Sequence, residues 1–186
     1  IYCKGKNYTS KTIEKSTSQS KSAIRPSTSI RSKSEIVGIG ISTGGPNALT
    51  KMIPMLPAGF KAPILIVQHM PPMFTASLAS SLNKKSPLEI KEAENGEIIE
   101  AGKVYIAPGG KQMKIIAGAD GITRKIMITD DPPENSCKPS VDYLFRSIAQ
   151  YYVGRSTGVI MTGMGSDGSK GLVQMKKNGG VVIAQN

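Results

Sequence analysis

The chain has 186 residues with 24 Lys and Arg against 13 Asp and Glu, a formal charge of +11, and is 39% apolar and 5% aromatic. That length suits one domain, no apolar run approaches the ~20 residues of a membrane helix, and the N-terminus carries no apolar core of a signal peptide. Two cysteines 134 positions apart, Cys3 and Cys137, with one histidine and no C-x-x-C, make neither a disulfide framework nor a zinc site, so a reducing cytoplasm is the default.

The charge is concentrated at one end. Residues 1–34 hold eight Lys or Arg against one Glu, and 13 of them are Ser or Thr, whereas residues 35–186 carry only +4. A segment so poor in apolar residues cannot bury enough surface to offset its ordering entropy, so 1–34 is expected to be a disordered basic linker and 35–186 the folded domain. The lysines are scattered, with no interleaved aromatic residues, which reads as a solvated linker and not as a nucleic-acid or membrane-binding arm. A linker that starts with Ile1 suggests that a preceding domain is missing.

From Glu35 the pattern changes. Ile36 to Ile41 and Ala62 to Gln68 are apolar runs without polar alternation, as in parallel strands buried on both faces, and Pro46 to Leu56 between them reads as a helix with Pro in its first turn. Val104 to Ile106, Met113 to Ile116 and Thr123 to Ile128, separated by Gly-rich turns, are expected to form a small antiparallel insertion. Then come an amphipathic helix over Ser140 to Tyr152, a strand over Gly158 to Met161, a helix over Ser169 to Lys177 and a last strand over Val181 to Ala184. This alternation predicts an α/β fold: a three-layer α/β/α sandwich around a doubly wound, mostly parallel sheet.

Chemistry on such a sheet gathers at the carboxyl ends of strands. The turn Gly38-Ile-Gly-Ile-Ser-Thr-Gly-Gly-Pro46 admits two functional readings. As a phosphate cradle it is one residue longer than the dinucleotide fingerprint, and Gln68-His69 stands where an acidic ribose ligand is wanted; a Walker loop lacks its Gly-Lys-Ser/Thr. As a nucleophile elbow, Gly40-Ile-Ser42-Thr-Gly44 is a literal G-x-S-x-G between strand and helix, with Ser42 exposed at the turn and backbone amides behind it facing a developing oxyanion. A bland alternative is that Ser42 only caps the next helix.

A serine hydroxyl needs a base, and His69, the single histidine, directly follows the second strand. A third group must orient the imidazole, and Asp167 in Met161-Thr-Gly-Met164-Gly-Ser-Asp167-Gly168 again follows a buried strand and opens a helix, where helix capping is its simpler role. Asp130, Asp131 and Glu134 in a polar loop, Asp142 at a helix start, and Glu92, Glu94 and Glu97 in an acidic stretch are weaker candidates. The implied order, Ser then His then Asp, differs from that of α/β-hydrolases.

The strings IVGIGISTGGPNAL, VQHMPP with Phe74-Thr75, VYIAPGG, KPSVDYLFRS, MTGMGSDGSKG and AQN, in this order over about residues 35–186, resemble the catalytic domain of CheB-type protein-glutamate methylesterases. The resemblance implies an α/β/α domain, Ser42 as nucleophile, His69 as general base and Asp167 as its orienting carboxylate. It places Thr43 and Met164 in the active site, with the Met164 amide, and those at Thr43 to Gly44, holding the oxyanion. It also implies a receiver domain before the linker, and a further C-terminal segment beyond Asn186. At Gly110-Lys111-Gln112-Met113 the chain departs from many relatives, on what the resemblance implies is the substrate side.

The implied reaction is hydrolysis of glutamyl methyl esters on the cytoplasmic helices of methyl-accepting chemotaxis receptors, with glutamine deamidation as a second activity of the same site. It requires no metal and no organic cofactor, and no nucleic acid or membrane insertion. The contrasting expectation is a non-enzymatic module holding an anion or nucleotide at the Gly-rich turn.

Overall fold

The computed structural model describes residues 33–185. The linker expected over 1–34 lies outside them except for its last two residues. Eight strands and four helices follow in the order β1 (Ile36–Ile41), α1 (Gly45–Met52), β2 (Ile64–Gln68), α2 (Phe74–Asn83), β3 (Glu89–Glu92), β4 (Lys103–Ile106), β5 (Gln112–Ala117), β6 (Arg124–Thr129), α3 (Val141–Tyr151), β7 (Ser156–Ile160), α4 (Ser169–Lys177) and β8 (Val181–Ala184). Six strands form one sheet in the order β3-β4-β2-β1-β7-β8, every pairing parallel. The strands β5 and β6 pair antiparallel as a separate ribbon.

Alternation along the strands divides the core in two. Ile39 and Ile41 of β1, Ile64 and Ile66 of β2, and Val104 and Ile106 of β4 pack with Leu49 and Ile53 after them and with Leu78 and Leu82 of α2. The opposite side chains, Ile36, Leu65, Val67 and Tyr105, pack with Val141, Leu144, Phe145 and Ile148 of α3, spaced as one helix face, and with the β5–β6 ribbon. On β1 the rest of this second face, beyond Ile36, is made of Gly38 and Gly40. A Cβ there would stand 2.6 Å from Ile148 Cδ1 or 2.4 Å from Val141 Cγ1, so these glycines let α3 lie close against the central strand. Their place in the sequence is thus explained by packing and not by a phosphate cradle.

Two expectations are corrected. Residues 104–106 do not belong to the antiparallel insertion: β4 lies inside the parallel sheet between β3 and β2, and is covered on both faces. The insertion is β5–β6 alone. The helix expected to run from Pro46 to Leu56 stops at Met52 and tightens into a 3₁₀ turn over Ile53–Met55, where Pro54 supplies no amide to continue it. The helix α2 and the charged edge strand β3, Glu-Ile-Lys-Glu, carry no apolar run that marks them.

Strand β1 connects to β2 on one side, while β7 arrives on its other side from α3. The carboxyl ends of β1 and β7 therefore flank the point where the winding reverses, the place such sheets use for ligands.

Candidate active site

Three consecutive strands in space, β2, β1 and β7, bring His69, Ser42 and Asp167 to one edge of the sheet. Ser42 follows β1, and its amide donates to Thr162 O at 2.9 Å, extending the β1–β7 pairing by one rung. The chain then turns through Gly44, whose φ of 78° is in the left-handed region, into α1. Gly44 is the residue that caps α1, with no side-chain bond, so Ser42 does not serve as its cap. Gly163 backs the serine so closely that a Cβ there would lie 2.7 Å from Ser42 Cβ.

His69 extends β2 in the same way, its amide donating to Ile41 O at 3.1 Å. The buried Gln68 beside it turns its side-chain amide under the elbow, where Nε2 donates to both Ser42 O and His69 O at 3.1 Å each. Ser42, Thr43, Gly44, His69, Met70 and Phe74 line an open cleft of about 410 Å³. A smaller recess on the other side of Ser42 is lined by Gly163, Met164 and Asp167. Ser42 is common to both. No hydrogen bond joins its hydroxyl to His69 in this structure, whereas His69 and Asp167 are joined directly, Nε2 to Oδ2 at 2.8 Å.

Asp167 caps a helix, but not the one it precedes. Its Oδ2 accepts from Val141 N at 2.7 Å and its Oδ1 from Asp142 N at 3.1 Å, so it satisfies the first amides of α3. Ser140 Oγ at 2.8 Å and Asn135 Nδ2 at 2.9 Å also donate to Oδ1. Only 4% of the side chain is exposed. Burial pushes the carboxyl up, but the hydrogen bonds from His69, Val141, Asn135 and Asp142 outweigh it and hold the group well below the usual carboxylate range. The negative charge lies at the positive end of α3, which favours it further.

A carboxylate so held accepts a proton-bearing nitrogen. Nε2 of His69 is therefore the N–H side, and Nδ1 keeps the lone pair. Facing Nδ1 is Cys137, its Sγ 3.8 Å away. Burial, and then the charge of Asp167, push this thiol up. Cys137 and Asn135 arrive on a loop with left-handed φ at Asn135 (51°) and Ser136 (61°). Gln112 supports that loop from below, donating to Pro132 O and Cys137 O and accepting from Ser140 N. It is fully buried, so its side chain supports the loop from within the fold.

The competing carboxylates have other partners. Asp130 pairs with Lys111 and Lys138, Asp131 with Tyr143, Glu134 with Arg146, and Glu94 and Glu97 with Lys91. Glu92 accepts from Thr75. Asp142 is fully buried and accepts from Gly171 N at 2.7 Å and Asn135 Nδ2 at 2.9 Å. Asn135, Cys137, Gln68 and Gly163 carry no sequence signal that assigns them to this edge; Gln68 stood out only by its place before His69.

A serine at a strand-to-helix elbow, sharing a cleft with a hydrogen-bonded His–Asp pair at the carboxyl ends of a parallel sheet, places the chain in the class of doubly wound α/β domains with a site at the point where the winding reverses. Within that class the chain belongs to the CheB methylesterase family, whose model matches residues 37–186. It is 65% identical over 156 residues to the protein-glutamate methylesterase/protein-glutamine glutaminase of Desulfotalea psychrophila, covering 84% of this chain and 43% of that protein. The Bacillus subtilis protein of the same name is 50% identical over 147 residues, covering 79% of this chain and 41% of that one. The chain thus spans less than half the length of these relatives. The crystal structure of the Thermotoga maritima CheB methylesterase catalytic domain superposes with a TM-score of 0.78 at 45% identity, covering 82% of this chain and 79% of that one. No described helix is long and apolar enough to cross a membrane.

Proposed function

We propose that the chain is the catalytic part of a protein-glutamate methylesterase, hydrolysing γ-glutamyl methyl esters on the cytoplasmic helices of chemotaxis receptors and deamidating glutamine there. The observation that carries this reading is the Asp167–His69 pair, whose unprotonated nitrogen belongs to the residue that shares a cleft with Ser42. The family membership supplies the substrate class. The extra length of the relatives accommodates the receiver domain expected before the linker, and the site of action is the cytoplasm.

In this mechanism Nδ1 of His69 accepts the Ser42 hydroxyl proton as Oγ attacks the ester carbonyl. Asp167 keeps Nε2 as the N–H side and stabilises the imidazolium, a task suited to a carboxylate that stays ionised well into acid. Negative charge on the carbonyl oxygen is met by amides of Thr43 and Gly44 at the elbow and of Met164 across the recess. Collapse expels methanol, or ammonia from glutamine, with the proton returned by His69. Water then attacks the acyl-serine by the same base, releasing glutamate and free Ser42.

A second reading is favoured by one contact, that of Cys137 Sγ with Nδ1, which has the form of a thiol and base pair. Against it, the thiol is pushed up and so held protonated. Methanol release from methylated receptor separates the two: Ser42→Ala is expected to lose on the order of 10⁴ to 10⁶ in rate while Cys137→Ala keeps it. The opposite pattern transfers the nucleophile to Cys137, and release that survives both variants removes each of them from the assignment.

A further inference from the structure

His69, Cys137 and Asp167 bring three ligand-type atoms within 4.8 Å of one another, with His69 and Cys137 half-buried and the Asp167 side chain almost wholly buried. Their arrangement is ordered. Asp167 Oδ2 holds one ring nitrogen of His69 at 2.8 Å, and Cys137 Sγ stands 3.8 Å from the other. Protein histidines that bind a metal do so in this way, with a carboxylate on the far nitrogen fixing the tautomer and raising the basicity of the near one. Zinc bonds of about 2.0 to 2.1 Å to nitrogen and about 2.3 Å to sulfur, set at a tetrahedral angle, separate the two donors by about 3.6 Å. The observed 3.8 Å spacing is close to that separation. Imidazole with thiolate is moreover a donor set that suits borderline-soft ions and disfavours magnesium or calcium.

We propose that His69 Nδ1 and Cys137 Sγ form an inhibitory site for a divalent cation of the zinc class, with Asp167 as the carboxylate behind the ligating histidine. The ion takes the lone pair that the esterase reaction needs, so the inhibition, though not the binding, rests on His69 being the general base. On binding, the S–H bond of Cys137 breaks, a sulfur–metal bond forms, and the proton leaves to solvent; no electron is transferred. Two protein donors leave the other coordination positions to water, so the ion is reversibly held, unlike in closed four-ligand sites. Since His69 is the only histidine of the chain, no other imidazole competes for the ion.

The test is calorimetric titration of zinc chloride into the chain, in a Cys3→Ser background so that Cys137 is the only thiol, together with cobalt(II) as a spectroscopic probe. One zinc per chain is expected, with a thiolate-to-cobalt charge-transfer band, both unchanged in Ser42→Ala. Cys137→Ser and His69→Gln are each expected to weaken binding at least about tenfold. Zinc is expected to stop methanol release from methylated receptor, a chelator to restore it, and Cys137→Ser to release methanol normally while resisting zinc. Equal zinc affinity in the parent and in both variants, or a cobalt complex without the thiolate band, overturns the site. Tight zinc binding by a chain that shows no zinc-free esterase activity leaves the site standing and overturns the functional reading instead.

Discussion

Asp142 and Asp167 exchange helix caps. Asp167, two residues before α4, accepts from Val141 N and Asp142 N at the start of α3; Asp142, in the first turn of α3, accepts from Gly171 N in the first turn of α4. Asn135 donates to both carboxylates at 2.9 Å and ties the exchange together. The position of the His69 partner is thereby fixed by two helices and a loop, none of which is adjacent to His69 in sequence.

Replacing Asp142 breaks one half of the exchange. Asp142→Ala leaves the Gly171 amide buried without an acceptor and Asn135 with one partner fewer, and is expected to cost about 1 to 3 kcal/mol. The urea midpoint measures the loss, and faster hydrogen exchange at the Gly171 amide locates it. An unchanged midpoint would show that the cap contributes nothing.

The other half has a pH signature. Asp167 is held well below its ordinary value of 3.8, so the folded state keeps the carboxylate charged where the unfolded chain protonates it. The resulting stabilisation is complete above about pH 5 and is lost as pH falls through the ordinary value towards the folded one. The parent chain is therefore expected to lose urea resistance steeply below pH 4, and Asp167→Asn to show a shallower slope from a lower starting midpoint. Parallel slopes would show that other carboxylates carry the acid transition.

The three residues carrying the proposed chemistry were legible because each follows an apolar run, and a parallel strand buried on both faces is the simplest source of such a run. What surrounds them was not. Asn135 and Cys137 reach the site through consecutive left-handed residues in a polar loop, a path set by Gln112 and the start of α3 and not by local preference. The edge strand β3 needs only one buried side chain, Ile90, and so reads as solvent-exposed sequence. In β4 three apolar residues before a Pro-Gly-Gly turn fit a hairpin as well as a central strand, and only the pairing with β2 and β3 decides between them. Gly38 and Gly40 suggested a ligand because a glycine that admits a phosphate and one that admits a helix look the same in sequence.

Gly163 is the most sensitive neighbour of the serine. A methyl group there would sit 2.7 Å from Ser42 Cβ and 3.4 Å from Ser42 N, and the serine is tied by its own amide to Thr162 O, so the elbow must shift. Gly163→Ala is expected to lower kcat for ester hydrolysis by about 10² through misplacement of the hydroxyl, with about 1 to 3 kcal/mol of stability lost to overpacking. Steady-state kinetics with a thermal melt measures both, and an unaltered kcat would mean that the strand end yields without moving the hydroxyl.

Gln68 offers the sharpest separation of positioning from stability. Its Nε2 holds the carbonyls of Ser42 and His69 at 3.1 Å each, while its Oε1 is buried without a hydrogen-bond partner among the described residues. Such an orphan acceptor costs free energy, and removing it offsets part of what is lost with the two donated bonds. Gln68→Leu, similar in length, is therefore expected to change stability by no more than about 1 to 2 kcal/mol. Catalysis has no such compensation, because the amide is the one side chain bonded to the backbone of both the serine and the histidine. A kcat lowered by about 10² with KM nearly constant, measured well below the melting temperature, is the expected result. A lower melting temperature with kcat intact would assign Gln68 to the core alone.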